Sequence, residues 1–273
     1  MNADLEVLEI GLLTEGIFRH YGVDFRNYAL PSLRRRVWNS CKDEGVPTIT
    51  TLLDKVLHDG DAMERLFLQL SVNVTSMFRD PTFYKVFRER VIPLLRSHPF
   101  IRIWHAGCST GEEVYSMAIL LEEEGLYERA RLYATDMNQK VLQGAQKGIF
   151  ATKLMPEYGR NYKLAGGKGA LSDYYLEKYE YALFKQSLRK NVVFAQHNLA
   201  SDSSFNEFNV ILCRNVMIYF DRTLQAKAHK LLHESLRRFG VLALGRRESL
   251  RSTPFQDDYE EIDREERIYR RSA

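Results

Sequence analysis

The sequence has few cysteines, no long apolar run and little net charge, and each absence excludes a class of protein. Three scattered cysteines, at positions 41, 108 and 213, exclude a disulfide framework or a cysteine zinc site. No apolar run approaches the roughly 18 residues that a membrane span needs. A net charge of +3 gives no general attraction to nucleic acid. The first residues, MNADLEVLEI, show no secretory signal. We therefore expect a cytoplasmic protein without membrane insertion or a nucleic-acid partner.

The two common phosphate-binding loops are also absent. The stretch GCSTG (107–111) joins an apolar run to a helical run, but it matches neither G-x-G-x-x-G nor G-x-x-x-x-G-K-[ST]. Glu112 and Glu113 follow it at the predicted helix start. Acids commonly stabilise this end of a helix, but they would repel a phosphate. The loop therefore predicts either a plain turn or a site for a ligand without a phosphate.

The chain changes in character near residue 101. Residues 1–92 have helical periodicity, and residues 93–100 contain two prolines and resemble a linker. In residues 101–273, β-branched runs alternate with helical runs, which predicts an α/β fold with a parallel sheet. A Gly- and Tyr-rich stretch at about 151–190 interrupts the alternation and predicts a small inserted antiparallel subdomain. The predicted strands lie at 101–107, 131–136, 191–199, 208–216 and 241–245, with a helix near 221–239 and two further C-terminal strands that could form an antiparallel edge.

A carboxylate ends the second predicted strand. In an open α/β sheet, an acid at the position of Asp136 can accept hydrogen bonds from ribose hydroxyls. A ribose without a phosphate, close to acids that attract positive charge, fits S-adenosylmethionine, which carries a sulfonium and an α-ammonium group. We therefore predict that a glutamate at the loop–helix junction suits this ammonium group.

Three further stretches, together with AGCSTGEEVYS, resemble the CheR-type chemotaxis-receptor glutamate O-methyltransferases. They are VNVTSMFRDP (72–81), FAQHNL (194–199) and VILCRNVMIYFD (210–221). The resemblance covers nearly the whole chain. It implies a class I, Rossmann-like methyltransferase sheet preceded by an all-helical domain and carrying a small inserted β-subdomain. The implied reaction transfers a methyl group from S-adenosylmethionine to receptor glutamates, giving γ-methyl esters and S-adenosylhomocysteine.

The resemblance also implies roles for individual residues. Arg79 and Tyr219 match the residues that act near the transferred methyl group, Asp136 matches the ribose ligand, and Asn198 with Leu199 matches the pair beside the adenine. We expect no metal, because an ionised glutamate can displace a sulfonium without one. The full set of expected cofactor contacts is Asn73, Thr75, Arg79, Gly107, Glu113, Asp136, Asn198, Leu199, Arg214 and Asn215.

Three consecutive arginines, Arg34, Arg35 and Arg36, lie in the helical part. A charge run is usually a solvated helix face. The resemblance implies instead a basic face that docks on the cytoplasmic methylation helices of membrane chemoreceptors or of a receptor-like protein. The inserted stretch lacks the family's short G-x-V-x-V pattern, so the use of a receptor tether stays open.

Two other functions also stay open at this point. One is a cofactor-binding sensor or scaffold in a chemosensory pathway with little catalytic activity. The other is a methyltransferase that acts on a small molecule or on nucleic acid, although the chain shows no surface in which aromatic and basic residues alternate.

Overall fold

The computed structural model describes residues 3–251 and 253–272, and the chain divides into two compact units. One unit contains the described residues up to Val72 together with Met217–Ala228. The other contains Asn73–Val216 and the described residues from His229 onward. The division falls well before the linker that the sequence suggested at 93–100, so residues 73–92 belong with the sheet-containing unit.

The first unit is helical, as the apolar periodicity of its sequence predicts. Thr48 and Asp59 cap two of its helices, since their side chains accept backbone N–H groups of the first turn. Leu52 and Val56, one helical turn apart, are fully buried. The helices are α1 (Ala3–Tyr21), α2 (Leu30–Asp43), α3 (Ile49–His58) and α4 (Gly60–Leu70).

The second unit is built on a seven-stranded Rossmann-like sheet, which confirms the predicted fold class. Its strands are β1 (Ile101–Ala106), β2 (Ala130–Asp136), β6 (Val192–Gln196), β7 (Phe208–Cys213), β8 (Leu236–Leu244), β9 (Tyr259–Asp263) and β10 (Ile268–Arg271). The order is β6-β2-β1-β7-β8-β10-β9. The strands from β6 to β8 pair in parallel, and β10 is antiparallel to both neighbours.

The helices of the second unit complete its layers. They are α5 (Pro81–Val86), α6 (Ile92–Leu95), α7 (Glu112–Glu123), α8 (Gln139–Lys147) and α9 (Met155–Leu164), while α10 (Arg222–Ser235) begins in the first unit. Helix α7 is buried along nearly its whole length, because it packs into the main apolar core with β1 and β7. In the described part of the chain, no helix is both long and apolar enough to cross a membrane.

Two local predictions differ from the structure. The helix predicted to reach residue 239 ends at Ser235, because Leu236 already pairs with Phe208 and an irregular register follows before Val241 pairs with Val210. The last two strands do form an antiparallel edge, as predicted: β10 pairs with β8 and with β9, and β9 is the outermost strand on that side of the sheet. The expected linker at 93–100 is helical at its start, because α6 continues to Leu95. A π-helical turn, Phe87–Val91, joins α5 to α6 just before Pro93, which has no N–H to donate.

The predicted insertion is present as a three-stranded antiparallel sheet with a helix. Strand β5 (Tyr181–Phe184) lies between β3 (Ile149–Ala151) and β4 (Tyr175–Lys178). The sequence did not predict α9, which precedes β4 and β5. Glu123, at the end of α7, anchors the insertion by accepting the backbone N–H of Lys168 at 2.9 Å and the hydroxyl of Tyr162.

Candidate functional site

The glycine loop follows β1 and is held tightly against two neighbouring segments. The N–H groups of Gly107 and Cys108 donate to the carbonyl oxygen of Thr135 at 2.9 and 2.8 Å. Gly107 has a φ of 78°, which favours glycine. A Cβ at Gly107 would also lie 2.6 Å from a methyl carbon of Val216, beyond the end of β7. The loop therefore depends on glycine for both its conformation and its packing.

Asp136 lies at the end of β2, as predicted, and its carboxylate is bound to backbone. It accepts the N–H of Ser109 in the glycine loop at 2.9 Å and the N–H of Asn138 at 3.0 Å. Burial raises the pKa of Asp136, and these backbone hydrogen bonds partly oppose the rise. Because a carboxylate offers about four lone-pair positions, Asp136 retains capacity to accept ribose hydroxyls.

Glu113 belongs to a network of charged side chains rather than standing alone at the helix start. Its carboxylate accepts a hydrogen bond from His105 Nδ1 at 2.9 Å and pairs with Arg214 Nη1 at 3.2 Å. Arg214 also pairs with Asp80 at 2.9 Å, and its guanidinium lies 3.9 Å from the centre of the Phe83 ring. Burial alone would raise the pKa of Glu113, but His105 and Arg214 outweigh it and hold that pKa below its usual value.

The charge of this network suits a cationic ligand. The carboxylates of Asp80 and Glu113 share a single guanidinium, that of Arg214, so these three side chains, with His105 not counted, carry a net negative charge. Asp136 adds a further carboxylate next to the loop. A pyrophosphate would be repelled here, whereas a ligand with a ribose and a positive group fits. These carboxylate acceptors therefore fit S-adenosylmethionine.

Arg79 lies on an irregular segment that the same network holds. Arg214 donates to the Arg79 carbonyl oxygen at 3.2 Å, and Arg79 Nη1 donates to the Val74 carbonyl oxygen at 3.1 Å. Phe78 and Asp80, on either side of Arg79, have φ values of 50° and 56°. Such conformations are uncommon for residues other than glycine and accompany functional constraint. Asn73 and Thr75, which are also predicted to contact the cofactor, lie on the same segment and are partly buried.

Asn198 and Leu199 follow β6, next to Asp136 in the sheet. The N–H of His197 donates to the carbonyl oxygen of Asp136 at 3.1 Å, which ties the start of this segment to β2. Asn198 accepts the N–H of Ala200 at 2.9 Å through its side-chain oxygen, and Leu199 is buried. The structure thus brings both residues to the carboxyl end of the sheet, where Asp136 also lies.

Asn215 follows β7 in a left-handed conformation with a φ of 60°. Its N–H and that of Val216 donate to the carboxylate of Glu248, both at 2.9 Å. We did not predict a role for Glu248 or His105 from the sequence. Both are buried: His105 bonds to Glu113, eight residues further along the chain, and Glu248 bonds to Asn215 and Val216, more than thirty residues before it.

Tyr219 lies in the first unit, in the short turn Met217–Tyr219. The guanidinium of Arg36 lies 4.7 Å from the centre of its ring. Arg36 is only 7% exposed and donates to the carbonyl oxygen of Leu70 at 3.0 Å. Arg36 therefore supports the helical unit and cannot form part of an exposed docking face, which corrects the expectation for this residue.

The other two arginines of the run are exposed. Arg34 pairs with the buried carboxylate of Glu6 at 2.6 Å, whereas Arg35 makes no ion pair among the described residues. Within residues 3–251 and 253–272, no group of three metal-ligating side chains is placed to hold a metal ion.

Comparison with known proteins identifies two matching family models and several relatives. The model described as "CheR methyltransferase, SAM binding domain" matches residues 73–266, and the all-alpha CheR domain matches residues 8–71. A Pseudomonas putida protein that bears the name methyltransferase Cher3 is 46% identical over 265 residues, which cover 97% of each chain. The chemotaxis protein methyltransferase 2 of Vibrio cholerae is 32% identical over 202 residues, covering 70% of this chain and 67% of that one. The chemotaxis protein methyltransferase of Listeria innocua is 28% identical over 239 residues, covering 87% of this chain and 88% of its own.

Proposed function

Because this chain belongs to the CheR methyltransferase family, we propose that it methylates glutamate side chains of chemoreceptors and forms γ-methyl esters. It is an S-adenosylmethionine-dependent methyltransferase of chemotaxis. The proposal adds the acceptor, the ester product and the residues that carry the reaction. The observation that carries it is the guanidinium of Arg79, which makes one side-chain hydrogen bond among the described residues and lies on a segment that Arg214 holds.

The strand-edge residues have distinct proposed roles in cofactor binding. Asp136 accepts the ribose hydroxyls, and Asn198 with Leu199 contacts the adenine. Glu113 attracts the α-ammonium group, and its own pairing with His105 and Arg214 keeps the carboxylate ionised and oriented. The remaining proposed contacts, Asn73, Thr75, Gly107, Arg214 and Asn215, shape the rest of the site.

The acceptor needs positioning more than activation. A glutamate has a reference pKa of about 4.3, so it is ionised at neutral pH and requires no general base. S-adenosylmethionine supplies a methyl group bonded to a sulfonium sulfur. When the glutamate oxygen bonds to the methyl carbon, the carbon–sulfur bond breaks and the sulfur leaves as a neutral thioether. Good alignment in such reactions is worth roughly 7–11 kcal/mol. We assign orientation of the acceptor to Arg79 and Tyr219.

Arg79 has the capacity for this role. A guanidinium carries five N–H donors in a planar fork that matches a carboxylate. Among the described residues, Arg79 uses its side chain for one hydrogen bond, to the carbonyl oxygen of Val74. The other N–H groups of Arg79 can hold a glutamate carboxylate. Arg214 fixes the main chain of Arg79 by donating a hydrogen bond to its carbonyl oxygen.

We propose that the acceptor docks through the exposed arginines of α2. Arg35 is the principal contact and Arg34 is secondary, since Arg34 is already paired with Glu6. The partner is the set of methylation helices in the cytoplasmic part of a chemoreceptor, or of a receptor-like protein, which places the enzyme in the cytoplasm.

Transfer of tritiated methyl from S-adenosylmethionine to receptor-containing membranes tests the proposal. We expect label that mild alkali releases as methanol, because carboxyl methyl esters are alkali-labile. Arg79→Ala should abolish labelling, whereas Arg90→Ala should leave it unchanged. Arg90 is an exposed arginine of the same unit that pairs with Asp263.

The other outcomes separate the competing functions. Label that resists alkali would contradict carboxyl methylation. Calorimetric binding of S-adenosylhomocysteine without any labelling of receptor membranes would favour the sensor or scaffold function, or a different acceptor. Labelling that survives Arg79→Ala would remove Arg79 from the reaction.

A further inference from the structure

The buried carboxylate of Glu248 links the segments that follow β7 and β8. Both segments lie at the carboxyl ends of the parallel strands, where the proposed cofactor residues also lie. Glu248 lies beyond β8 and is only 6% exposed. It accepts three backbone N–H groups: those of Asn215 and Gly245 through Oε2, at 2.9 and 2.6 Å, and that of Val216 through Oε1, at 2.9 Å. Hydrogen bonds to an ionised acceptor are stronger than neutral ones, so this arrangement fixes both segments.

The backbone that Glu248 holds is tightly packed and unusual in conformation. Asn215 has a φ of 60°, a left-handed conformation that asparagine tolerates better than most residues do. Gly245 is equally constrained, because a Cβ there would lie 2.7 Å from Glu248 Oε2 and 2.8 Å from the Asn215 nitrogen. Without an acceptor at position 248, three buried N–H groups would lose their partner and the turn after β7 would relax.

That turn supports the glycine loop directly. The side chain of Val216 occupies the space in which a Cβ of Gly107 would lie, with a closest approach of 2.6 Å. Gly107 in turn donates to Thr135, immediately before Asp136, and Asp136 accepts the N–H of Ser109 in the loop. A movement of Val216 is therefore transmitted to the loop and to the ribose-binding carboxylate.

We propose that Glu248 is a positioning residue for the cofactor site, acting through the Asn215–Val216 turn on the Gly107 loop. It does not itself contact the cofactor in this proposal. The inference rests on the proposed location of S-adenosylmethionine at that loop. Its test therefore includes a measurement on ligand-free protein, which is independent of that location.

A purely structural role is the competing explanation, and a second buried glutamate of the same unit provides the control. Glu123, whose side chain is 4% exposed, also accepts a backbone N–H, that of Lys168. It lies at the opposite end of α7 from the glycine loop. Glu123→Gln should lower the unfolding midpoint without changing affinity for S-adenosylhomocysteine.

The experiment compares Glu248→Gln, Val216→Ala and the double variant by amide hydrogen exchange and by calorimetric titration with S-adenosylhomocysteine. In ligand-free Glu248→Gln, exchange should accelerate at Asn215, Val216 and Gly245, since the amide cannot accept three N–H groups. The dissociation constant should rise about tenfold, as loss of a buried acceptor implies. When Val216→Ala is already present, Glu248→Gln should raise the dissociation constant less than about threefold, because the effects of coupled residues do not add.

Two results would overturn the proposal. Faster exchange with an unchanged dissociation constant would restrict Glu248 to stabilising the fold. Effects on affinity that add fully with those of Val216→Ala would show that Glu248 does not act through this turn. The location of the cofactor is tested separately by Asp136→Asn: unchanged affinity in that variant would reject the proposed site while leaving the exchange result intact.

Discussion

Two adjacent carboxylates at the start of α7 lie in opposite electrostatic environments. Glu112 is buried and accepts hydrogen bonds from the hydroxyls of Thr110, at 2.6 Å, and Tyr158, at 3.3 Å, whereas Glu113 faces His105 and Arg214. Burial raises the pKa of Glu112, so its ionised form opposes folding. Glu113 has a lowered pKa, so its ionised form favours folding. The same substitution should therefore have opposite effects at the two positions.

Glu113→Gln should reduce stability at neutral pH by roughly 1–3 kcal/mol, because Arg214 loses a charged partner. A lowered native pKa stabilises the fold above the unfolded-state value and loses that effect as pH falls through the native pKa. The gap between variant and wild type should thus narrow below about pH 4.5, the reference value for a glutamate. Urea unfolding between about pH 3 and 8 measures the size of the gap and its narrowing in acid. A gap independent of pH would contradict the assigned ion pair.

Glu112→Gln should maintain or increase stability at neutral pH, by at most about 1 kcal/mol, because it removes a buried charge while both hydroxyl partners can still bond to an amide. Since the native pKa of Glu112 is raised, its destabilising effect develops as pH rises above the unfolded-state value. The variant should gain most at high pH. Thermal unfolding across pH 5–8 tests this, and a large loss of stability would show that the charge is needed.

At the residue scale, the sequence predicted positions better than interactions. Asp136 and Gly107 lie at strand ends, and simple rules of the parallel sheet locate such residues. The partners of Glu113 could not be predicted in the same way, because Arg214 is distant in the chain and His105 acts only through its burial beside the carboxylate. Glu248 was missed for the same reason.

At the element scale, local periodicity predicted the strands of the parallel sheet, since each is a short apolar run bounded by turns. It failed where long-range pairing decides the structure. The helix α10 stops at Ser235 because the following residues enter β8. The division between the two units at Val72 and Asn73, where the two family models also separate, has no proline or glycine signal to mark it.

The insertion depends on one buried arginine. Arg88 pairs with Glu123 and, at 3.0 Å, with Glu124, and its guanidinium also donates to the carbonyl oxygen of Ala165. Removing one partner from a buried ion pair typically costs about 3–5 kcal/mol. Arg88→Ala should therefore lower the unfolding midpoint strongly and make residues 165–185 sensitive to protease.

Arg96→Ala is the matched control for Arg88→Ala. Arg96 pairs with the same Glu124, at 3.0 Å, but its side chain is 55% exposed, against 9% for Arg88. Exposed ion pairs contribute about 0–1 kcal/mol, so the control should change little. Equal losses in the two variants, or protease resistance of the insertion in Arg88→Ala, would contradict the anchoring role.

At the scale of the whole molecule, the basic face must be narrower than the run of three arginines suggested. Arg36 is buried beneath the surface of the helical unit, and its loss should destabilise that unit by removing the hydrogen bond to Leu70 and the contact with Tyr219. A net charge of +3 is too small to guide a partner by itself. Recognition of an acidic helical partner therefore depends on a few exposed cations, of which Arg35 is the principal candidate.

Arg35→Glu should slow methylation of receptor membranes several-fold at low salt and leave affinity for S-adenosylhomocysteine unchanged. The difference should shrink as salt increases, because screening acts over about 8 Å at physiological ionic strength. Arg19→Glu, on the exposed surface of α1, makes the same change in net charge and should have little effect. If both variants slowed methylation equally, the effect would follow total charge rather than a docking face on α2. A loss of cofactor affinity in Arg35→Glu would instead show that this arginine serves the reaction site and not the partner.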